Sequence, residues 1–167
     1  AVANKVIHAS RVPVWLVPPE LREEVIYDRI PRRVMVIPLT GEKQAEAVIP
    51  HAISIAKQRG AETEMVFINV ENPFIGTRTA AEIKRFEENR EAMQEYLEGI
   101  VKQVGESGIK ASYEVLMGDP PDAIIDYVKN HPTQLIAMST QGQAGLSRMI
   151  FGSITENVLQ LVKLVHV

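Results

Sequence analysis

The stretch RVMVIPLTGE, residues 33–42, decides the fold class of this chain. It is a short, nearly all-apolar run that Thr40 and Gly41 close. A run without polar alternation is typical of a strand buried on both faces, as the strands of parallel sheets are. Residues 42–60 follow at helical spacing and are predicted to form one helix that Pro50 bends. The apolar positions of that helix are Ala45, Val48, Ile49, Ala52, Ile53 and Ala56.

The same order of strand and helix continues along the chain. Residues 63–70 and 134–140 are apolar and predict buried strands, and residues 110–117 predict another strand before Gly118 and Asp119, with Asp119 as a turn or cap residue. Prolines then occupy the first turn of a helix, where a missing N–H costs nothing. A long helix after the second strand has its apolar stripe at Ile83, Phe86, Met93, Leu97, Ile100 and Val104. We expect this stripe to pack on the sheet of the same domain, and the alternative that its heptad-like spacing offers is a partner helix.

Alternating strands and helices indicate an α/β fold with a parallel sheet and helices on both faces. In such a sheet, ligands bind at the carboxyl ends of the strands where the winding reverses. The loop before the last helix, STQGQAGLSRMIFGS at residues 139–153, is rich in glycine and small polar residues. It favours close approach of backbone amides to phosphate, with a cradle formed by Gly142, Gly145, Gly152 and the Ser153 hydroxyl. Ser153 is equally suited to cap the last helix, and both roles are compatible.

Composition excludes several classes of protein. The 167 residues are 46% hydrophobic and carry a net charge of −3, which is typical of one globular domain. No apolar run reaches the length of a membrane span, so no membrane insertion is expected. The sequence also contains no stripe of basic residues, so nucleic-acid binding is not expected. The absence of cysteine excludes thiolate zinc sites and fits the cytoplasm. The four histidines form no close-spaced ligand pair, so no metal site is expected.

The first residues, AVANKVIHASRVPVWLV, resemble the end of the chain, SITENVLQLVKLVHV. This repeat predicts that residues 1–17 are the terminal helix and strand of a preceding, similar domain. Residues 18–31, with prolines near both ends, are predicted to be a linker, and residues 32–167 are expected to form one full domain.

Four stretches resemble the universal stress protein family: VMVIPLTGEKQAEAVIPHAISIA, FINVENP, VLMGDPPDAIIDYV and MSTQGQAGLSRMIFGSITENVL. The resemblance implies an open, five-stranded, mostly parallel sheet of order 3-2-1-4-5, similar to the adenine-nucleotide α-hydrolases. It also implies binding of ATP or AMP, with Mg²⁺ held by the phosphates. Two positions depart from the family pattern: Thr40 replaces an aspartate that meets the adenosine, and Ser139 replaces the first glycine of the loop. The implied site residues are Pro38, Leu39, Thr40, Val70, Met138, Ser139, Gly142, Gln143, Gly152, Ser153 and Ile154.

The resemblance further implies pairing of terminal edge strands in a homodimer or between tandem domains. Residues 13–17 and 164–167 are the short apolar strands concerned, and Trp15 is expected to be partly buried there. No nucleophile elbow, paired carboxylate motif or lysine in the glycine-rich loop is present, so the chain is expected not to be an enzyme beyond slow ATP hydrolysis. The alternative is a nucleotide-free interaction module that acts through its dimer edge, such as the soluble part of a transporter.

Overall fold

The computed structural model describes residues 33–59, 62–72 and 78–139, together with the single positions 9 and 14. Within these residues, four strands form one parallel sheet. They are β1 (Arg33–Pro38), β2 (Thr63–Glu71), β3 (Lys110–Met117) and β4 (Leu135–Ile136). Their order across the sheet is β3-β2-β1-β4, which confirms the parallel α/β fold. The expected fifth strand, Trp15 and all of the N-terminal repeat except positions 9 and 14 lie outside the described residues.

Four helices connect these strands. They are α1 (Lys43–Glu46), α2 (Ile49–Arg59), α3 (Ala80–Glu106) and α4 (Pro120–Asn130). In the described part of the chain, no helix is long and apolar enough to cross a membrane. The predicted proline in the first turn of α4 is confirmed, and Asp119 is its N-cap residue, without a side-chain cap bond.

Helices cover both faces of the sheet because successive strand residues point to opposite sides. On one face, Met35, Ile37 and Phe67 pack with residues of α2 and α3 in the larger core cluster. On the other face, Val36 and Ile68 pack with residues of α4 in a second cluster. The prediction of strands buried on both faces is therefore confirmed for β1 and β2. The α4 residues of the second cluster are Ile124, Ile125 and Tyr127.

The predicted helix over residues 42–60 is wrong in one respect. Instead of bending one helix, the chain ends α1 at Glu46, turns through Ala47 and Val48, and begins α2 at Ile49. Pro50 is the second residue of α2. Its fixed φ and missing N–H are tolerated in a first turn and would disrupt a helix interior. The second helix therefore starts at Ile49, one residue before the proline.

The apolar stripe of α3 packs over only part of its length. Leu97, Ile100 and Val104 are buried, but Ile83 is 45% exposed. The 27 residues of α3 span about 40 Å, whereas the 8 residues of β3 span about 26 Å, so the helix is longer than the neighbouring strand. The expectation that the whole stripe packs on the sheet is wrong for its N-terminal end.

Strand β4 is shorter than the predicted strand of residues 134–140. Only Leu135 and Ile136 form the ladder with β1. Hydrogen bonds from Gln134 N to Val34 O (3.0 Å) and from Ala137 N to Val36 O (2.9 Å) continue the contact at each end. These bonds hold the segment that leads into Met138 and Ser139 beside β1.

Candidate functional site

Three chain segments meet at the carboxyl edge of the sheet. Val36 pairs with Ile136, and Pro38 pairs with Ile68. Beyond the last pairs, Leu39 N still donates to Ile68 O at 2.8 Å and Ala137 N to Val36 O at 2.9 Å, so Thr40 and Ser139 each follow directly on a segment held at this edge. The sheet thus brings together the described residues predicted for the site. Residues Gly142, Gln143, Gly152, Ser153 and Ile154 lie outside the described residues.

Leu39 is fixed by two backbone-directed hydrogen bonds. Its N–H donates to the carbonyl of Ile68 at 2.8 Å, and its own carbonyl accepts from Asn69 Nδ2 at 2.8 Å. The Leu39 side chain is buried in the larger core cluster, so it cannot meet a ligand directly. The contribution of Leu39 to the site is therefore a rigid connection between β1 and the turn that follows.

Thr40 is exposed at the end of this connection. Its Oγ1 accepts a hydrogen bond from Glu42 N at 3.3 Å, which leaves the hydroxyl proton available to donate. Gly41 lies between them with φ +90°, a backbone conformation that a side chain disfavours. The chain therefore turns sharply after Thr40, and the Thr40 hydroxyl lies at the carboxyl edge of the sheet.

Val70 and Met138 lie on the α4 side of the sheet. Both are partly buried and pack against the second core cluster, while Ser139 is half-buried next to Met138. Pro38 is also half-buried at the end of β1. Among the predicted side chains of the described part, Thr40 is exposed, whereas Leu39, Val70 and Met138 mainly support the edge from the core.

Two functional candidates at this edge were missed by the sequence reasoning. Asn69 is only 7% exposed and holds the Leu39 carbonyl from the neighbouring strand. Glu71 ends β2, its carbonyl accepts from Gly118 N at 2.9 Å, and its carboxylate lies 3.9 Å from Arg90 Nε. The sequence does contain a signal for Asn69, because it is a polar residue within an apolar strand. A polar side chain buried in this way usually has a hydrogen-bond partner.

Helix α3 adds a second polar contact near the same edge. Tyr96 donates its hydroxyl to Glu46 Oε1 at 2.7 Å and so joins α3 to α1. Burial, together with the hydrogen bond to the Glu46 carboxylate and its charge, raises the pKa of the Tyr96 phenol well above its ordinary value of 10.0. The phenol, which is protonated at neutral pH in any tyrosine, therefore also remains a donor above pH 10.0.

Metal ligands do not gather in the described part of the chain. Residues 33–59, 62–72 and 78–139 contain no group of three or more histidine and acidic side chains placed to hold a metal ion. The chemistry that the edge offers is hydrogen bonding from a hydroxyl and from backbone groups at the ends of parallel strands.

Comparison with known proteins identifies the family. The sequence matches the model of the universal stress protein family over residues 31–164. It is 32% identical to universal stress protein MJ0531 of Methanocaldococcus jannaschii over 127 residues, which are 75% of each chain.

Solved structures have the same fold. Universal stress protein UspA of Lactobacillus plantarum superposes with a TM-score of 0.63 at 22% identity, over 77% of this chain and 90% of that protein. A universal stress protein solved in complex with cAMP superposes with a TM-score of 0.57 at 14% identity, over 77% of this chain and 89% of that protein. The chain therefore belongs to the universal stress protein family.

Proposed function

We propose that this domain binds an adenine nucleotide, ATP or AMP, at the carboxyl edge of the sheet and serves a stress-response or regulatory role. The observation that carries the proposal is the position of β1. It has β2 on one side and β4 on the other, so the chain winds in opposite directions from β1. Parallel α/β sheets bind ligands in the crevice at such a reversal, beyond the carboxyl ends of the strands.

The described residues fit an adenosine at this position. Thr40 is exposed and its hydroxyl proton is available, and the backbone at Pro38 and Val70 lies at the ends of adjacent strands. In this proposal Pro38, Thr40 and Val70 border the adenosine, and Leu39 and Met138 support them. Ser139 begins the loop, whose amides and hydroxyl at Gly142, Gln143, Gly152, Ser153 and Ile154 hold the phosphates.

The cAMP complex of a structurally similar universal stress protein supports a nucleotide as the ligand class. We propose that this chain acts by binding and not by rapid catalysis. Bound Mg²⁺ would be held by the nucleotide phosphates, and the protein would supply orientation through the loop amides. The nucleotide-free interaction module is the other outcome of the test below.

The expected assembly also remains a proposal. In the described sheet β4 pairs with β1 alone, which leaves its other side for the fifth strand at residues 164–167. We propose that this strand and residues 13–17 pair across a homodimer or tandem interface, with residues 1–17 belonging to a preceding domain. Sedimentation of the chain as a monomer with Trp15 fully accessible to acrylamide would contradict it.

Calorimetric titration with AMP and with ATP plus Mg²⁺ tests the nucleotide proposal. We expect saturable binding that Gly152→Val abolishes, because a side chain there blocks approach of the backbone to phosphate. Gly99→Val is the matched control, since a methyl group at Gly99 meets nothing within 4 Å. The absence of heat up to millimolar nucleotide, in a folded protein, would overturn the proposal and favour the interaction module.

A further inference from the structure

Helix α3 touches the carboxyl edge through residues spaced three apart. Arg90, Met93 and Tyr96 lie on one side of the helix, because residues separated by three or four positions share a helix face. Each contacts a different part of the edge: the end of β2, the turn after β1, and α1. These contacts connect a helix outside the proposed nucleotide site to the segments that form it.

The contact at α1 is the shortest of the three. Tyr96 donates to Glu46 Oε1 at 2.7 Å, and the tyrosine is half-buried. Helix α1 has only four residues and none of them is buried. A helix this short has little stability of its own, so its position depends on contacts such as this one. Because α1 directly follows the turn at Thr40, the hydrogen bond also restrains that turn.

The contact at the turn is made by Met93. A methyl group added at Gly41 would lie 3.0 Å from Met93 Cε, which is closer than ordinary van der Waals contact. The methionine methyl therefore packs directly against the Gly41 backbone. Movement of the turn towards α3 must therefore displace the Met93 side chain.

The contact at β2 is the loosest. Arg90 Nε lies 3.9 Å from Glu71 Oε2, which is buried and has no hydrogen-bond partner. The Arg90 side chain is 44% exposed, so the pair can separate or tighten without loss of core packing. The contact between Arg90 and Glu71 makes the end of β2 the third segment of the edge that α3 contacts.

We propose that Tyr96 and Met93 are positioning residues for nucleotide binding, which hold the Thr40–Gly41 turn through Glu46 and Gly41 and couple site occupancy to α3. This inference rests on the proposed function. Coupling between two sites is reciprocal, so a nucleotide that orders the turn must also change the surroundings of Met93, and loosening α1 must weaken the nucleotide.

Methionine-methyl NMR monitors the nucleotide site, through Met138, and the contact with α3, through Met93, as separate signals. The chain has six methionines, so ¹³C-methyl labelling gives a few signals that Met→Leu variants assign. On titration with AMP, we expect the Met138 signal to report binding at the end of β4 and the Met93 signal to shift with the same saturation curve. Met65, buried in the core at the other end of β2, serves as the unaffected reference.

Tyr96→Phe removes the hydroxyl alone. We expect it to weaken AMP binding about three- to tenfold and to reduce the Met93 shift at saturation by more than half, without changing the Met138 shift. Glu46→Gln keeps an acceptor for the tyrosine and should bind AMP within about twofold of wild type. Tyr113→Phe is the matched control. The hydroxyl of Tyr113, on β3, donates to Glu98 of α3 at 3.0 Å, and this hydrogen bond lies on an exposed surface.

The outcomes separate this inference from the proposed function. A saturating Met138 shift with an unmoved Met93 signal, or an unchanged affinity in Tyr96→Phe, overturns the positioning role and leaves nucleotide binding intact. No shift of either methionine and no heat of binding overturns both. Concerted shifts that depend on Tyr96, and not on Tyr113, establish the coupling.

Discussion

The side-chain amide of Asn69 donates a 2.8 Å hydrogen bond to the carbonyl of Leu39 on the neighbouring strand. Asn69 is 7% exposed, so water cannot readily replace this partner. The bond lies where β1 ends and the turn to Thr40 begins. Together with the bond from Leu39 N to the Ile68 carbonyl, it fixes the direction in which the chain leaves the sheet.

Asn69→Leu tests the strength of this bond. The leucine has a similar size but leaves a buried carbonyl without its donor, so we expect a loss of about 1–3 kcal/mol in the free energy of unfolding. Urea denaturation monitored by circular dichroism measures it. Asn130→Leu removes an equally short bond to Asp126 O on an exposed helix end and should cost less than about 1 kcal/mol. Equal losses in both variants would contradict the structural role of Asn69.

Gly41→Ala tests the turn. The alanine must adopt φ +90° and its methyl would lie 3.0 Å from Met93 Cε, so we expect destabilisation of about 1–2 kcal/mol. In a Met93→Ala background the steric part is relieved, and the same substitution should cost less. Gly99→Ala, which meets no neighbour within 4 Å in the interior of α3, should be neutral or stabilising. A tolerated Gly41→Ala would contradict the described turn.

Alkaline pH tests the Tyr96–Glu46 contact. The pKa of Tyr96 is raised in the folded protein, first by burial and then by the Glu46 carboxylate. When the pKa of a group is higher in the folded than in the unfolded protein, its contribution to the free energy of unfolding is complete at pH values below the unfolded pKa. That contribution is lost as pH rises through the folded pKa. We therefore expect Tm to fall as pH increases above 10.0, the ordinary tyrosine value. Calorimetry of Tyr96→Phe should show a smaller fall than wild type, and an identical slope would refute the contact.

Thr79→Ala tests the start of α3. Thr79 Oγ1 accepts from Glu82 N, and Glu82 Oε2 accepts from Thr79 N at 2.7 Å, which together form a capping box. Removing the threonine hydroxyl should lower the free energy of unfolding by about 1 kcal/mol. The Glu82 carboxylate accepts from Thr79 N and also from the Thr79 hydroxyl at 2.9 Å, and these two bonds lower the pKa of Glu82. The stabilisation from Glu82 is therefore present above its unfolded pKa and is lost as pH falls through its folded pKa, and Thr79→Ala removes the part that the hydroxyl supplies. Thermal melts at pH 7 and pH 3 should therefore differ less for Thr79→Ala than for wild type.

The sequence predicted those parts of the fold that depend on local pattern. The all-apolar run at β1 and the prolines in the first turn of α4 indicated their elements, since each pattern has one common structural meaning. Pro50 was misread because a proline restarts a helix as readily as it bends one, and the preceding turn decides which. Ile83 was misread because periodicity gives the face of a helix but not how far the neighbouring sheet extends.

The candidate site was predicted in part. Thr40 and Val70 each lie two residues beyond the pair of Pro38 with Ile68, at the carboxyl ends of adjacent strands, as the order of strands and helices indicated. Asn69 and Tyr96 were missed because their partners, Leu39 and Glu46, are distant in sequence and are found only once strands and helices are placed together. Polar contacts between elements depend on tertiary structure, whereas the periodic burial of one element does not.

The most direct test of nucleotide binding at this edge is a crystal structure of the protein grown with saturating AMP. We expect the adenosine to contact Thr40 and the backbone at Val70, beyond the carboxyl ends of β1 and β4, with its phosphate against the loop from Gly142 to Ser153. AMP bound elsewhere, or an edge without nucleotide at saturating concentration, would contradict the proposed site.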